Sequence, residues 1–147
     1  AREILADSGD HKGVGYCLLG RGRVERRMGQ LHEALTSFSS AAERFGEIDD
    51  RIGQAQMYLS VGELCEQRVE IRPAERAFRR AKRLFEQSND MGNALLSELR
   101  LGLLLHKSGR VDEGHRMLLK VARHALLPTL ADELVEECLS RTSDALA

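Results

Sequence analysis

Residues 84–102 read LFEQSNDMGNALLSELRLG, and two related stretches precede them: RFGEIDDRIGQAQMYLSVG at 44–62 and ILADSGDHKGVGYCLLGRG at 4–22. The three stretches are spaced forty residues apart, and no insertion is needed to align them. A fixed period of this size indicates stacked supersecondary units, because each unit is unable to bury its apolar face alone. The sequence therefore predicts a repeat architecture.

The same register continues outside these stretches. Small or apolar residues recur in matching sets, which are Leu31, Ile71 and Val111; Ala34, Ala74 and Gly114; Phe38, Phe78 and Leu118; and Ala41, Ala81 and Val121. We expect repeats at 11–50, 51–90 and 91–127, followed by a capping helix or the start of a fourth repeat at 128–147. Since Ala1 aligns with Ala41, residues 1–10 are expected to end a helix of a preceding repeat. We therefore expect the sequence to be an excerpt of a longer array or multidomain protein.

Within each repeat the apolar residues follow the helical period. In the second repeat Ala74, Phe78, Ala81 and Phe85 lie on one side of a helix, as an apolar stripe of period 3.6 requires. The pattern predicts helices at about 11–27, 31–46, 51–67, 71–88, 91–107 and 111–126.

The residues between the predicted helices suit caps and turns. Asp50 and Asp90 suit N-caps, because a carboxylate accepts hydrogen bonds from the free amides of the first helical turn. Gly29 and Gly109 suit the position that follows the end of a helix, where the backbone often adopts the left-handed conformation. Val69 stands at the equivalent position of the second repeat, so the turn there is less clearly predicted.

A glycine also recurs inside each first helix, at Gly22, Gly62 and Gly102. Glycine in a helix interior costs about 0.5–1 kcal/mol relative to alanine, so its recurrence implies a compensating contact. We expect that contact to be close approach of the second helix of the pair. The small residues predicted to face these glycines are Ala34, Ala74 and Gly114.

Composition argues against several classes of protein. The net charge is -1, and the three cysteines form no CxxC pair, so neither a zinc site nor a disulfide framework is predicted. No apolar run is long enough to cross a bilayer, and no signal-peptide pattern opens the sequence, which favours a cytoplasmic protein. The five histidines show no HExxH motif. We expect no metal, no cofactor and no enzymatic activity, since no nucleophile motif or phosphate-binding loop is present.

The spacing of Gly22, Ala34, Phe38 and Ala41 resembles the tetratricopeptide repeat. The stretch LLGRGRVERRMGQLHEALTSFSSAAERFGEIDDRIGQA resembles the forty-residue form found in bacterial signalling ATPases and multidomain transcriptional regulators. The resemblance covers roughly residues 1–126. It implies an all-α protein, a right-handed α-solenoid of three antiparallel helix pairs, with a capping helix at the C-terminus. Glu98, at a position where the family often has a large apolar residue, departs from the pattern.

The resemblance also implies a concave groove, lined by the first helices, that receives a peptide or helix of a partner protein. Its positions in this sequence are Tyr16, Leu19, Arg23, Arg27, Gln56, Leu59, Ser60, Glu63, Gln67, Leu96, Arg100, Leu103 and Lys107. The carboxylate clamp known in the family is not reproduced, because Arg23 and Glu63 replace its asparagines. We expect a mixed groove that accepts an acidic or amphipathic segment near Arg23 and Arg27. The alternative is that these side chains are merely solvated.

An arginine-rich helix face is a competing signal. It consists of Arg72, Arg76, Arg79, Arg80 and Arg83. The favoured hypothesis is a protein-interaction module that forms the sensor or coupling part of a larger bacterial regulator. One alternative is a structural spacer or oligomerisation module that docks onto adjacent domains through this face. Nucleic-acid contact is a third hypothesis, weakened because no aromatic platform accompanies the arginines and nearby glutamates neutralise part of the charge.

Overall fold

The structure is a computed structural model that describes residues 8–125, 135–137 and 139–140. Within residues 8–125 six helices follow one another: α1 (Ser8–Arg27), α2 (Leu31–Glu47), α3 (Arg51–Gln67), α4 (Ile71–Gln87), α5 (Met91–Lys107) and α6 (Val111–Ala125). The described residues include no strand. The helices lie where the apolar period predicts them, except that α1 is already helical at Ser8 rather than from residue 11.

The helices pack as consecutive pairs that stack on one another. α1 packs on α2, α3 on α4, and α5 on α6, while α2–α3 and α4–α5 contacts join the pairs. The first helices of the first two pairs, α1 and α3, also touch directly. This arrangement confirms an all-α solenoid of helix pairs, in which each pair buries its apolar stripes against the next.

The turns between helices repeat every twenty residues. Each contains one residue with left-handed backbone, at Gly29 (φ 81°), Asp49 (φ 52°), Val69 (φ 58°), Asn89 (φ 58°) and Gly109 (φ 100°). The amide of the next residue then donates to the carbonyl five residues back, as from Gln30 to Glu25 at 2.8 Å and from Glu70 to Cys65 at 2.8 Å. These are the bonds of the Schellman motif, which satisfies free carbonyls at a helix end. Val69 therefore forms the same turn as the glycines.

The two predicted N-caps are confirmed. The Oδ1 atom of Asp50 accepts a hydrogen bond from the Gly53 amide at 3.0 Å, and Oδ1 of Asp90 accepts from the Asn93 amide at 3.2 Å. Asp10, forty residues before Asp50, instead lies within the first turn of α1. Each cap fixes where a first helix begins, and so fixes which side chains of that helix face its neighbours.

The recurring glycines do allow close helix packing, but their nearest neighbours differ from the prediction. A Cβ atom built on Gly22 would lie 2.5 Å from Cε1 of Phe38, and one on Gly62 would lie 2.5 Å from Cε1 of Phe78. The rings, rather than Ala34 or Ala74, occupy this space. The reason is that long helical side chains point back toward the preceding turn.

The third pair shows the predicted arrangement more closely. A Cβ atom on Gly102 would lie 3.0 Å from Leu118 and 3.3 Å from the carbonyl oxygen of Gly114. Here the predicted small residue is among the nearest neighbours, because leucine replaces phenylalanine at position 118. The packing therefore adapts to the size of the side chain that faces the glycine.

Glu98 is buried, and two lysines accompany it. Its carboxylate lies 2.7 Å from Nζ of Lys82 in α4 and 3.2 Å from Nζ of Lys120 in α6. Burial alone would raise the pKa of this carboxyl, but the hydrogen bonds and charges of both lysines outweigh burial and hold the pKa below its ordinary value. Glu98, which departs from the family pattern, is thus an ionised side chain whose contacts join three helices.

Part of the predicted C-terminal helix is described. Residues 135–137 and 139–140 are helical, and Val135 and Leu139 form a buried cluster with Leu118 of α6. The rest of 128–147 lies outside the described residues. Of the segment 1–10, which is expected to end a helix of a preceding repeat, residues 1–7 also lie outside the described residues, and residues 8–10 belong to α1. The described part does cover the apolar side of α6, as a cap or a further helix is expected to do.

Candidate partner-binding surface

The predicted groove residues belong to α1, α3 and α5, and the surface that these three helices form is here called the first-helix face. Positions 16, 23 and 27 of α1 are seven and four residues apart, so their side chains project from one side of the helix. The equivalent positions of α3 are 56, 63 and 67, and those of α5 are 96, 103 and 107. Adjacent first helices thus present matching rows of side chains.

Arg23 joins the first two of these rows. Its Nε atom donates to Oγ of Ser60 at 3.0 Å, and its Nη2 atom donates to Oε1 of Gln56 at 2.9 Å. All three residues were predicted as groove residues. The guanidinium is thereby fixed in one orientation, with part of its surface still open. A fixed guanidinium is well suited to donate two parallel hydrogen bonds to a carboxylate.

Glu63 occupies the centre of the first-helix face. Its carboxylate lies 3.1 Å from Nη2 of Arg26 and 3.3 Å from Nη2 of Arg100. Glu63 and Arg100 were predicted, whereas Arg26 was missed. Arg26 also exchanges two hydrogen bonds with Gln67, at 3.3 and 3.4 Å. One glutamate therefore binds an arginine from each neighbouring first helix.

The signal that could have identified Arg26 is a constant offset between neighbouring first helices. Arg23 and Ser60, Arg26 and Glu63, and Glu63 and Arg100 are all thirty-seven residues apart. The offset is shorter than the repeat of forty because neighbouring helices are staggered by about one turn. A search for opposite charges at this offset would have found the ion pair.

Arg27 and Lys107 lie at the ends of their helices and are exposed. Neither makes a hydrogen bond or ion pair with any other residue in the part of the chain that the structure describes. Together with Arg23, Arg26 and Arg100 they make five cations on the first-helix face, of which Arg26 and Arg100 pair with Glu63. Arg23, Arg27 and Lys107 make no ion pair with the described residues, so they leave positive charge on this face although the whole chain has a net charge of only -1.

The residues assigned to the groove differ in exposure, and Ser60, which accepts the hydrogen bond of Arg23, is only 1% exposed. Leu19 and Leu59 are only 1% and 5% exposed and belong to the core. Leu103 is half-buried and packs on the cluster of Val135 and Leu139. Leu96, at 40% exposure, remains open to solvent. The accessible part of the first-helix face is thus mainly polar.

Tyr16 lies at one end of the first-helix face. Its ring packs edge-on against Phe45, with centroids 4.9 Å apart. Burial, followed by the nearby charge of Asp50, raises the pKa of its hydroxyl, and Arg23 partly opposes the rise. Tyr16 therefore stays protonated at neutral pH, and its hydroxyl can donate a hydrogen bond beside Arg23.

The predicted arginine-rich face of α4 divides into two groups. Arg79 lies 3.1 Å from Glu75 and 3.5 Å from Glu113, and Arg80 packs over the ring of Tyr58, with Cζ 5.0 Å from the centroid. Those two arginines are engaged in packing. Arg72, Arg76 and Arg83 are exposed, and none of them makes an ion pair with a described residue.

Glu75 links the side of α4 that carries Arg79 to the third helix pair. Its carboxylate binds Arg79 and also Nη1 of Arg110, at 2.9 Å. Burial acts to raise the pKa of Glu75, but the hydrogen bonds and charges of both arginines outweigh it and lower the pKa. Glu75 therefore remains ionised at neutral pH and reduces the net charge available on this side of the helix.

Residues 8–125, 135–137 and 139–140 contain no group of histidine, cysteine and carboxylate side chains arranged to hold a metal ion. Cys17 and Cys65 are free thiols, and Cys138 lies outside the described side chains. Of the helices described, none combines the length and apolar character that a membrane span requires.

The fold and the first-helix face together define a helical-repeat protein with a polar, cationic surface. The tetratricopeptide repeat family matches residues 16–87, which include most of α1 and all of α2, α3 and α4. Residues 16–87 therefore form tetratricopeptide repeats, and the third pair continues the same turns and register. Such repeats are generally protein–protein interaction modules and typically lack catalytic activity. Comparison with curated proteins gave no match, and comparison with solved structures gave none.

Proposed function

We propose that the first-helix face binds an acidic peptide or helix of a partner protein. The observation that supports this proposal is the contact of Arg23 with Gln56 and Ser60, which orients a cation on a surface rich in positive charge. An acidic segment crossing α1 and α3 would meet Arg23 and Arg27 first. Charge-assisted hydrogen bonds are about twice as strong as neutral ones, so carboxylates are favoured over other ligands.

Pre-organisation adds to this preference. Arginine side chains lose about 0.5–1.5 kcal/mol of conformational freedom when a ligand immobilises them. In Arg23 much of that freedom is already lost before the ligand arrives, because two residues of α3 hold the guanidinium. Arg27, by contrast, has no such partner among the residues described and supplies charge rather than orientation.

The experiment uses an acidic, helix-forming peptide and a copy in which every Glu and Asp is replaced by Gln and Asn. Isothermal titration calorimetry is expected to show binding of the acidic peptide to the chain and a loss of about tenfold or more for the neutral copy. Arg23→Glu should abolish binding. The matched control is Arg83→Glu, an equal charge change on α4, which should leave affinity within about twofold. Equal loss for both variants would reject the proposal.

A second candidate function is docking through the open side of α4, as a spacer or an oligomerisation module. It is favoured by Arg72, Arg76 and Arg83, which are exposed and make no ion pair with the described residues. Binding lost on Arg76→Glu and Arg83→Glu but retained on Arg23→Glu would support it. Nucleic-acid contact by the same arginines would show a steep decrease of affinity with salt toward a DNA duplex.

We also infer that the module is the sensing or coupling part of a larger cytoplasmic regulator. This inference rests on the resemblance of the forty-residue pattern to arrays of bacterial signalling ATPases and transcriptional regulators. A module of this kind transmits binding through shape, because ligand that crosses α1, α3 and α5 changes how the pairs stack. Small-angle scattering with and without the acidic peptide tests whether binding changes the stacking.

A further inference from the structure

A cavity of about 140 Å³ lies between the second and third helix pairs. It is formed by the C-terminal halves of α4 and α6 and the N-terminal half of α5, and its lining includes Lys82, Met91, Leu95, Glu98 and Lys120. A volume of this size holds on the order of five water molecules, or a ligand of similar size. Because Glu98 and Arg100 are two residues apart, the cavity and the first-helix face lie on nearly opposite sides of α5.

The equivalent position between the first and second pairs is occupied by an aromatic side chain. Tyr58, forty residues before Glu98, packs against two core clusters. Arg80, forty residues before Lys120, packs over that ring, with Cζ 5.0 Å from the centroid. Glu98 carries no ring, so the third pair leaves open the space that an aromatic side chain fills in the preceding interface.

Two ammonium groups and one buried carboxylate meet in this cavity. Oε1 of Glu98 lies 2.7 Å from Nζ of Lys82 and 3.2 Å from Nζ of Lys120. The lowered pKa of Glu98 keeps this carboxylate ionised at neutral pH, so one of the two positive charges is uncompensated. Glu86 lies 4.0 Å from Lys82, but an exposed pair at this distance contributes little.

The cavity also offers free hydrogen-bond donors beside an apolar surface. A lysine ammonium has three hydrogens, and the contact of Lys120 with Glu98 uses one of them. Among the described residues, no other carboxylate approaches Lys120, whose side chain is 59% exposed. Met91 and Leu95 are four residues apart, so they add apolar surface on one side of α5. The lining therefore suits a ligand with an anionic head and a short apolar chain.

We propose that this cavity binds a small monocarboxylate with a short apolar chain. The carboxylate accepts hydrogen bonds from Lys82 and Lys120 and compensates the remaining positive charge, while the chain lies against Met91 and Leu95. A dianion such as phosphate is disfavoured, because it would leave excess negative charge beside Glu98 and has no apolar part. The site is separate from the first-helix face, so it does not depend on peptide binding there.

Butanoate is the probe for this site, and its neutral analogue butanamide is the matched comparison. Titration of the full chain with isotope-labelled methionine methyl groups, followed by NMR, should give a saturating shift of the Met91 signal. Affinity in the millimolar range is expected for so small a ligand. Butanamide should bind at least about fivefold more weakly, because charge-assisted hydrogen bonds are about twice as strong as neutral ones. The exposed Met28 methyl should not shift. A Met91 signal that does not saturate, or equal affinity for both probes, overturns the proposal.

A pair of lysine variants tests whether the charge in the cavity is responsible. Lys120→Gln should weaken butanoate binding by about fivefold or more. Lys12→Gln makes the same change in charge at an exposed position of α1, which does not line the cavity, and should leave affinity within about twofold. Equal weakening by both variants would show that butanoate responds only to the overall charge of the chain, and would overturn the proposal.

A third variant closes the cavity with side chains that the chain already uses. Lys82→Ala, Glu98→Tyr and Lys120→Arg together introduce the residues found forty positions earlier. This triple variant should show no saturating shift, because the new ring fills the cavity as Tyr58 does in the preceding interface. Saturation that persists places butanoate elsewhere and overturns the proposal. Circular dichroism checks that the variant folds, and the exposed Lys120 allows the single variant to be tested independently of it.

Discussion

The Glu98 carboxylate of α5 lies 2.7 Å from the Nζ atom of Lys82 in α4. The Glu98 side chain is only 4% exposed, so this contact is an ion pair at the interface between the second and third helix pairs. Removing one partner of a buried ion pair lowers stability much more than replacing both partners by apolar residues, because a lone buried charge is poorly solvated. This asymmetry leads to the first prediction.

Lys82→Met should lower the free energy of unfolding by about 1–3 kcal/mol, since Glu98 then retains only the more exposed Lys120 as a partner. The double variant Lys82→Met, Glu98→Leu should recover part of that loss, because it removes the buried charge together with its partner. Urea unfolding followed by circular dichroism measures both. A single variant as stable as the parent chain would contradict the buried pairing.

The lowered pKa of Glu98 predicts a pH dependence of stability. The unfolded chain binds this proton more readily than the folded chain, so the stabilisation is fully present above the ordinary glutamate pKa of about 4.3. It is lost as pH falls through the depressed pKa of the folded state. Glu98→Gln should therefore flatten the decrease of stability between neutral and acidic pH. Parallel decreases in urea midpoint for parent and variant would show that Glu98 makes no such contribution.

The packing of Gly22 against Phe38 predicts opposite effects for two alanine substitutions in one helix. Gly22→Ala should destabilise the chain by about 1–3 kcal/mol, since its Cβ meets the buried ring. Gly20→Ala is the matched control: a Cβ there meets no atom within 4 Å, so the higher helix propensity of alanine should stabilise by about 0.5–1 kcal/mol. Thermal and urea unfolding of both variants test the pair. The idea fails if the two substitutions change stability in the same direction.

Val69 is strained in a way that glycine would relieve. It has a φ of 58° and is 76% exposed, so it gains little from burial. Val69→Gly should stabilise by about 1 kcal/mol, because left-handed backbone costs a branched residue about 1–2 kcal/mol. Gly109→Val, the converse change at an equivalent turn, should destabilise by a similar amount. Unfolding midpoints that do not move in opposite directions would contradict this account.

The helices and their ends were predictable because their causes are local. The Asp50 cap, the Gly29 turn and the apolar stripe of α4 each depend on residues within a few positions of one another. The partner of a charged side chain is set instead by the stagger of helices that lie far apart in sequence. Glu98 therefore looked like a departure from the family pattern, since its lysines lie sixteen residues before and twenty-two residues after it.

The first-helix face was predictable in position but not in contacts. The resemblance selected Arg23, Ser60 and Glu63 from their places in the repeat, yet it missed Arg26, which is on a neighbouring row of α1. Leu19 and Leu59 were also assigned to the groove, although both are buried in the core. Which side of a helix is buried depends on the sizes of packed side chains such as Phe38 and Phe45, which a repeat pattern alone does not determine.

Two contributions of Arg23 to peptide affinity, the orientation of its guanidinium and its charge, can be separated experimentally. Arg23→Gln removes a charge and should reduce both the affinity for an acidic peptide and the salt dependence of binding. Gln56→Ala with Ser60→Ala keeps the charge but frees the guanidinium, so affinity should fall by about threefold with the salt dependence unchanged. Arg27→Gln should resemble Arg23→Gln in salt dependence, with a smaller loss of affinity because Arg27 is not held in place.

Calorimetric titrations at about 50 and 300 mM sodium chloride measure these differences, since screening lengths fall from roughly 14 to 6 Å over that range. The parent chain should lose the most affinity between the two salt concentrations. A freed guanidinium that binds as tightly as a held one would show that the contacts of Arg23 with Gln56 and Ser60 serve only to join α1 to α3. The peptide would then be recognised by charge alone, and the preference for Arg23 over Arg27 would disappear.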